Sequence, residues 1–329
     1  MSEIIGKQIE VGVGTEEVRG TPSSVAEKWL PKVVANVIER ADKTIDESSR
    51  GNIEDTIGSR VTKKWYEGDL EMNITADAIG WFLYNVYGTD TDTNVAGSVY
   101  QHIFTMAQNI IHPSLNLFMH DGSESKERLS NGMVGSLEIQ ANVDEYVKAI
   151  ISFVAKTGVA STDTPSYDTE YDFVGKDITV KIAATEIGLA TAEETVIKGV
   201  NMTLDPGLIR DHVIGELTPD DIYNAKLSIE GEMVLNYVDD TFKDLFTGDS
   251  YRYMEISIID TSTDIGGGSN PTITILLNRV SIIDWNREGG QDDLVEQTVR
   301  FKAFHNVGDD QQSQITLINL TPEYDVGVS

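Results

Sequence analysis

The 329-residue sequence predicts a mainly β chain of two tandem units, each with many strands, one short flanking α-helix and a long loop. Three observations carry that prediction. Period-two alternation of apolar and polar residues recurs along the chain, which sets the two kinds on opposite faces of strands. Helical periodicity is confined to two short stretches, "ADAIGWFLYNVY" and "DDTFKDLF". And one order of segments is written twice: "WYEGDLEMNI" from Trp65 and "SIEGEMVLNY" from Ser228 share Glu-Gly, then an acid, then an asparagine.

The repetition extends in both directions. Glu67-Gly68 recurs as Glu230-Gly231, 163 positions on, and at that offset Asn73 matches Asn236, Asp77 matches Asp240, and Phe82 and Leu83 match Leu245 and Phe246. Upstream, "GKQIEVGV" from Gly6 is echoed by "GKDITVKI" from Gly175, and "VVANVIERAD" from Val33 more faintly by "KGVNMTLDPG" from Lys198. The offsets differ by a few residues, as loop-length changes would make them. The units are therefore expected at 1–160 and 161–329, divided near "GVASTDTPSYD", whose Ser, Thr, Asp and Pro read as a linker.

Each element follows from its pattern. In the strand beginning at Glu67, the side chains of Glu67, Asp69, Glu71 and Asn73 share one face and Gly68, Leu70, Met72 and Ile74 the other. Glu230, Glu232 and Asn236 repeat that polar face against Met233, Leu235 and Tyr237. "GSLEIQANV" sets Glu138, Gln140 and Asn142 against Leu137, Ile139 and Ala141, while "TITILLNRVSII" and "TVRFKAF" are further strands. The first helix has Asp77 near its start and an apolar stripe of Ile79, Phe82, Leu83 and Val86. Residues 39–60 and 205–224 are long polar stretches at the same point of both units, expected to be arms that order on contact with a partner. The termini, 1–5 and 306–329, are expected to act as further straps, the second as a C-terminal arm.

Composition narrows function by exclusion. The net charge is -29, and it is uneven: residues 1–160 hold 14 Lys and Arg against 23 Asp and Glu, residues 161–329 hold 11 against 31. A protein that grips nucleic acid by its phosphates needs the opposite balance. The absence of cysteine removes disulfides, thiol nucleophiles and cysteine-based zinc sites. No apolar run is long enough to cross a bilayer, and the opening residues lack a secretory pattern, so synthesis in a cytoplasm is expected. His102, His112, His120, His212 and His305 are scattered, and the His112–His120 spacing matches no helical ligand pair. "IGGGSNP" lacks the Lys-Ser/Thr of a phosphate loop and reads as a hairpin turn. Carboxylates are plentiful, so a glycosidase dyad is not excluded by count, but Trp29, Trp65, Trp81 and Trp285 are dispersed. The sequence predicts no catalytic residues, no metal and no cofactor.

The opening "IEVGVGTEEVRGTP", a polar loop, "YEGDLEMNI" and the helix "DAIGWFLYNVYGT" together resemble the tail-tube (major tail) proteins of long-tailed bacteriophages. The resemblance is clearest over residues 6–160 and recurs over 170–305, although "AATEIGLAT" stands where the second copy would repeat the "GT…GTP" opening. It implies a β-sandwich or barrel flanked by a helix in each unit, with a long loop reaching a neighbouring ring. It further implies a non-enzymatic virion protein, made in the host bacterial cytoplasm and partnered with itself, a tape-measure protein and tail-end proteins. Two tandem tube domains imply trimeric rings with pseudo-sixfold symmetry, stacked into a conduit through which double-stranded DNA passes without being held. The tube of a contractile tail or injection device, and a carbohydrate-binding or carbohydrate-cleaving β-sandwich, are the alternatives. In a tube, the repeated acidic strand face has a use, because carboxylates repel the phosphate backbone. Glu67, Asp69, Glu71, Glu230 and Glu232 are the expected lumen-lining residues, with Glu138 and Gln140 as weaker members of the same wall. The glycine of each Glu-Gly pair would let a backbone approach closely where neighbouring sheets meet.

Overall fold

A computed structural model describes residues 5–47, 51, 56, 58–122 and 125–324. The first half contains β1 (Ile9–Thr15), β2 (Lys28–Leu30), β3 (Val33–Asp46), β4 (Gly58–Asn73), α1 (Ile79–Tyr87), β5 (Thr91–Ala96), β6 (Val99–Thr105), β7 (Leu115–Asp121), β8 (Ser125–Asn142), β9 (Lys148–Ala155) and β10 (Thr157–Ala160). The second contains β11 (Ile178–Ala183), α2 (Glu186–Leu189), β12 (Ile197–Asp205), β13 (Leu208–Asp211), β14 (Asp221–Asn224), β15 (Ser228–Asn236), α3 (Thr241–Thr247), β16 (Arg252–Ile259), β17 (Thr272–Glu288), β18 (Glu296–Ala303) and β19 (Ser313–Asn319). Helix is scarce and the ladders are antiparallel, so the mainly β prediction holds.

One long strand shapes each half. The start of β8 pairs with β7 and β10, whereas its end pairs with β9. A register shift between Val134 and Ser136 marks the change of partner, because an extra residue bends and twists the strand. β17 behaves alike: its start pairs with β16 and β19, its end with β18, and its register shifts between Ile282 and Asp284. Two layers result in each half. β1, β7 and the start of β8 form one, facing β3, β4, β9 and the end of β8. β11, β16 and the start of β17 face β12, β15, β18 and the end of β17.

The apolar faces meet between the layers. Val13, Leu70, Leu117, Leu137 and Phe153 are buried in the first half, and Val180, Met202, Met233, Ile275 and Phe301 in the second. The helices differ. α3 buries Phe242 and Leu245, but every residue of α1 is buried. The extra cover comes from the far end of the chain: Tyr324 packs edge-on to Trp81 at 4.9 Å and lies 4.7 Å from His102. The expected amphipathic stripe is thus a helix buried on every side, Asn85 included, and roofed from outside its own half.

The two long polar stretches also differ from expectation. Much of 39–60 is strand, the exposed outer part of the β3–β4 hairpin, while 48–50, 52–55 and 57 lie outside the described residues. Residues 205–224 are not a free arm: they hold the β13–β14 hairpin, which lies against the first half. Its anchor is Arg19, whose Nε reaches both carboxylate oxygens of Asp221 at 2.9 and 3.1 Å. The same guanidinium donates to the carbonyls of His112 and Ile222. The segment after β18 does not project either, because β19 lies between β17 and β6 and Tyr324 is fully buried. Residues 1–4 and 325–329 lie outside the described residues.

Candidate functional site

The facing layers of the two halves join edge to edge. The end of β8 pairs with β12 over six residue pairs, Leu137–Leu204 to Asn142–Gly199. The result is one layer of eight strands in the order β3-β4-β9-β8-β12-β15-β18-β17. One face packs on the core. Directly opposed residues share a face, so the other face can be read across the ladder. Val34, Glu71, Ile150, Glu138, Thr203, Glu230, Lys302 and Ser281 form one row across all eight strands. Lys148, Gln140, Asn201, Glu232, Arg300 and Asp284 form the next. Asp69 lies opposite Asn36 and Ser152, and Glu67 opposite Ile38 and Val154.

All seven residues singled out from the sequence therefore lie on this one polar face. Their settings differ. Asp69, Glu71 and Glu230 are exposed. Glu67 stands at the border, because the β13–β14 hairpin packs there: Ile222 is buried with Met133 and Val154, and Trp65 and Leu208 pack alongside. Glu67 accepts from the Trp65 indole at 2.6 Å and from Arg210 at 2.9 Å, and Arg210 lies 4.7 Å over the Trp65 ring. The indole bond first, and then the Arg210 charge, hold the Glu67 carboxyl below the usual range.

The face is also less bare of positive charge than the alternating acids suggested. Lys302 meets Glu230 at 2.6 Å and holds that carboxyl below its ordinary value by hydrogen bond and charge. Arg300 reaches Glu232 at 2.7 Å and Asp284 at 4.0 Å, and Lys148 lies 3.9 Å from Glu71. Glu138 accepts from Gln140 at 2.8 Å and Asn201 at 3.2 Å. Water screens exposed pairs of this kind, so they shape the field more than the stability. The acids still outnumber the bases. Lys148, Arg300 and Lys302 were legible in principle: in "TVRFKAF" the two cations alternate with Val299, Phe301 and Ala303 by the same period that revealed the acids.

Gly68 and Gly231 serve a different contact from the one expected. A Cβ on Gly68 would fall 1.9 Å from the Asn36 carbonyl oxygen, within the β3–β4 ladder of its own half. On Gly231 it would fall 2.4 Å from the ring of Phe301, which leans over it from the paired strand. Both glycines belong to the core side, where a neighbour occupies the side-chain space.

The buried histidines make structural contacts. His102 bonds Asp90 at 2.8 Å and the Thr321 carbonyl at 2.9 Å, tying the chain end to the β5–β6 hairpin. His112 contacts Asn85 and Asn224, and His120 contacts Ser161; burial lowers the basicity of both. "IGGGSNP" is the turn between β16 and β17, with Gly266, Gly267 and Gly268 all at positive φ. Among the described residues no three His, Cys, Asp or Glu side chains converge as a ligand set, and no helix is long and apolar enough to cross a membrane.

A family model described as phage tail tube protein matches residues 6–303. No curated protein matches the sequence.

Proposed function

The chain belongs to the phage tail tube protein family, and on that premise we propose that it builds a conduit by stacking rings of itself, through which double-stranded DNA leaves the virion. It is a structural subunit of the tail. One feature of the fold carries the fuller reading: an eight-stranded layer with one polar face and two unpaired outer strand edges among the described residues. An unpaired edge is a ready site for another chain, and a layer open at both ends can be continued by copies of itself.

The chain is read as a duplicated tube domain, 1–160 and 161–329. Support comes from the paired ladders: β1–β7, β3–β4, β4–β9, β7–β8 and β8–β9 correspond to β11–β16, β12–β15, β15–β18, β16–β17 and β17–β18. Two domains per chain favour a trimeric, pseudo-sixfold ring. Asp69, Glu71, Glu138, Gln140, Glu230 and Glu232 line the lumen in this reading, with Glu67 at its rim. An acid-rich wall keeps phosphates from adhering. A tape-measure protein inside the growing tube and tail-end proteins at its tips complete the set of partners.

The test is electron microscopy of the purified, concentrated protein. Hollow tubes or stacked rings with a central channel are expected. A chain that stays monomeric with and without preformed tail tips would overturn the proposal.

A further inference from the structure

The chain carries within itself a pattern for how two copies meet. Where the halves join, β8 and β12 run antiparallel with Ile139 opposite Met202. Each has a counterpart at an outer edge of the same layer. β12 corresponds to β3, because Met202 faces Gly231 and Val37 faces Gly68. The end of β8 corresponds to the end of β17, because Val134 faces Phe153 and Ile282 faces Phe301, with the register shift directly after both. Yet among the described residues neither β3 nor β17 beyond Ile282 has a strand on its outer side. These edges also present apolar side chains: Val34, Ile38 and Ile283 are 71%, 46% and 43% exposed.

Resting on the reading of a subunit that assembles with itself, we propose that β17 of one copy pairs with β3 of the next in the register of the internal joint. Arg287 then lies opposite Val37, and the ladder runs antiparallel from Trp285–Glu39 to Glu288–Asn36. The pairing satisfies backbone groups that the single chain leaves open. On the polar face it sets Asn286 against Ile38 and Glu288 against Asn36. On the core face the stem of Arg287, whose guanidinium lies 4.7 Å over Tyr237, extends across Val37.

The two joints are not equally apolar. Inside the chain the core-side pairs are Leu137–Leu204, Ile139–Met202 and Ala141–Val200, all buried. Between copies the corresponding positions are Trp285 with Glu39, Arg287 with Val37, and Gly289 with Ala35. The joint between copies is the weaker one, which lets subunits stay apart until a growing end receives them.

Disulfide trapping tests the register, because the natural chain has no cysteine. Asn36→Cys with Glu288→Cys places two exposed thiols at the proposed contact. Within one copy they are seven strand spacings apart, about 34 Å, so a bridge must join two copies. Asn36→Cys with Asp284→Cys, four residues out of register, is displaced by about 13 Å and serves as the control. The in-register pair should oxidise to a ladder of covalent oligomers at least about tenfold faster than the control. Tubes that form, by microscopy of the same samples, without in-register crosslinks, or with the control crosslinking faster, overturn the register but leave the tube reading standing. A wild-type chain that never assembles overturns both.

Discussion

Arg19→Ala should detach the β13–β14 hairpin without unfolding the rest of the chain. The guanidinium makes a two-pronged bond to Asp221, donates to the carbonyls of His112 and Ile222, and lies 3.7 Å from the sulfur of Met133. Removing it leaves the Asp221 carboxylate with only neutral donors, Asn131 at 2.8 Å and the Ile222 amide at 2.7 Å. Breaking a fully buried ion pair costs about 3–5 kcal/mol and an exposed one about 0–1 kcal/mol. The Arg19 and Asp221 side chains are 20% and 19% exposed, so water compensates in part and the loss is about 2–3 kcal/mol. That free energy raises the detached population roughly 30- to 150-fold. The remaining fastenings include Arg210 to Glu67 and over the Trp65 ring, Lys156 to the Asp220 carbonyl, Lys64 to the Leu217 carbonyl, Asn224 to the Ile110 carbonyl and to His112, and the apolar contacts of Leu208 and buried Ile222. Amide hydrogen exchange read by mass spectrometry is the assay. Peptides over 208–224 should lose protection by that factor while β16 and β18 keep theirs. Arg19→Lys should fall between, since it keeps the charge and loses the fork. Unchanged exchange over 208–224 in Arg19→Ala would refute the anchoring role.

Other outcomes follow from the same geometry. Tyr324→Ala should cost about 3–5 kcal/mol in urea unfolding, because the ring fills space against α1, whereas Tyr324→Phe, which loses a 2.6 Å bond with Asn319, should cost about 1 kcal/mol. Gly68→Ala should destabilise more than Gly231→Ala, since the first Cβ falls 1.9 Å from the Asn36 carbonyl oxygen, with only backbone around it, and the second 2.5 Å from the Asn201 carbonyl oxygen and 2.4 Å from the end of the Phe301 ring; paired melting curves compare them. Glu27 is exposed as a whole, but desolvation of its carboxyl beside Trp81 pushes it up, only partly offset by the indole bond. With the folded value above the unfolded one, its stabilising contribution is complete below about pH 4.5 and lost as pH rises through the folded value. Glu27→Gln should therefore unfold at slightly higher urea than wild type at pH 7, solvent screening at this exposed residue keeping the gap small, with the gap closing below about pH 4.5. Glu230→Lys with Glu232→Lys strips Lys302 of its partner and leaves Arg300 only Asp284 at 4.0 Å on an exposed face, and should create salt-sensitive DNA binding, measured by fluorescence anisotropy, where wild type has none.

What could be read from the sequence tracks how much of each element is buried on one side only. Glu67–Met72 and Glu230–Leu235 alternate because one face meets the core and the other does not, and their pairing with Asn36 and Asn201 follows that pattern. The outer part of the β3–β4 hairpin has no core to face, so "ERADKTID" is exposed on both sides and reads as loop though it forms strand. α1 misled in the opposite sense, because Tyr324, far away in sequence, covers the side that would otherwise meet water. The attachment of 205–224 was illegible for a related reason: it depends on Arg19 meeting Asp221 across the fold, and no local period records such a meeting. β19 was within reach, since Ile315 and Leu317 alternate with Gln314 and Thr316 as a strand buried on one face does.

Helical reconstruction of assembled tubes by cryo-electron microscopy, at a resolution that shows side chains, bears on the proposed conduit most directly. The expected map has the eight-stranded layer innermost, its ladder continuous from β17 of one copy to β3 of the next, with Asp69 and Glu232 pointing into the channel. A map in which those two carboxylates point to the tube exterior, or in which another layer surrounds the channel, would contradict it.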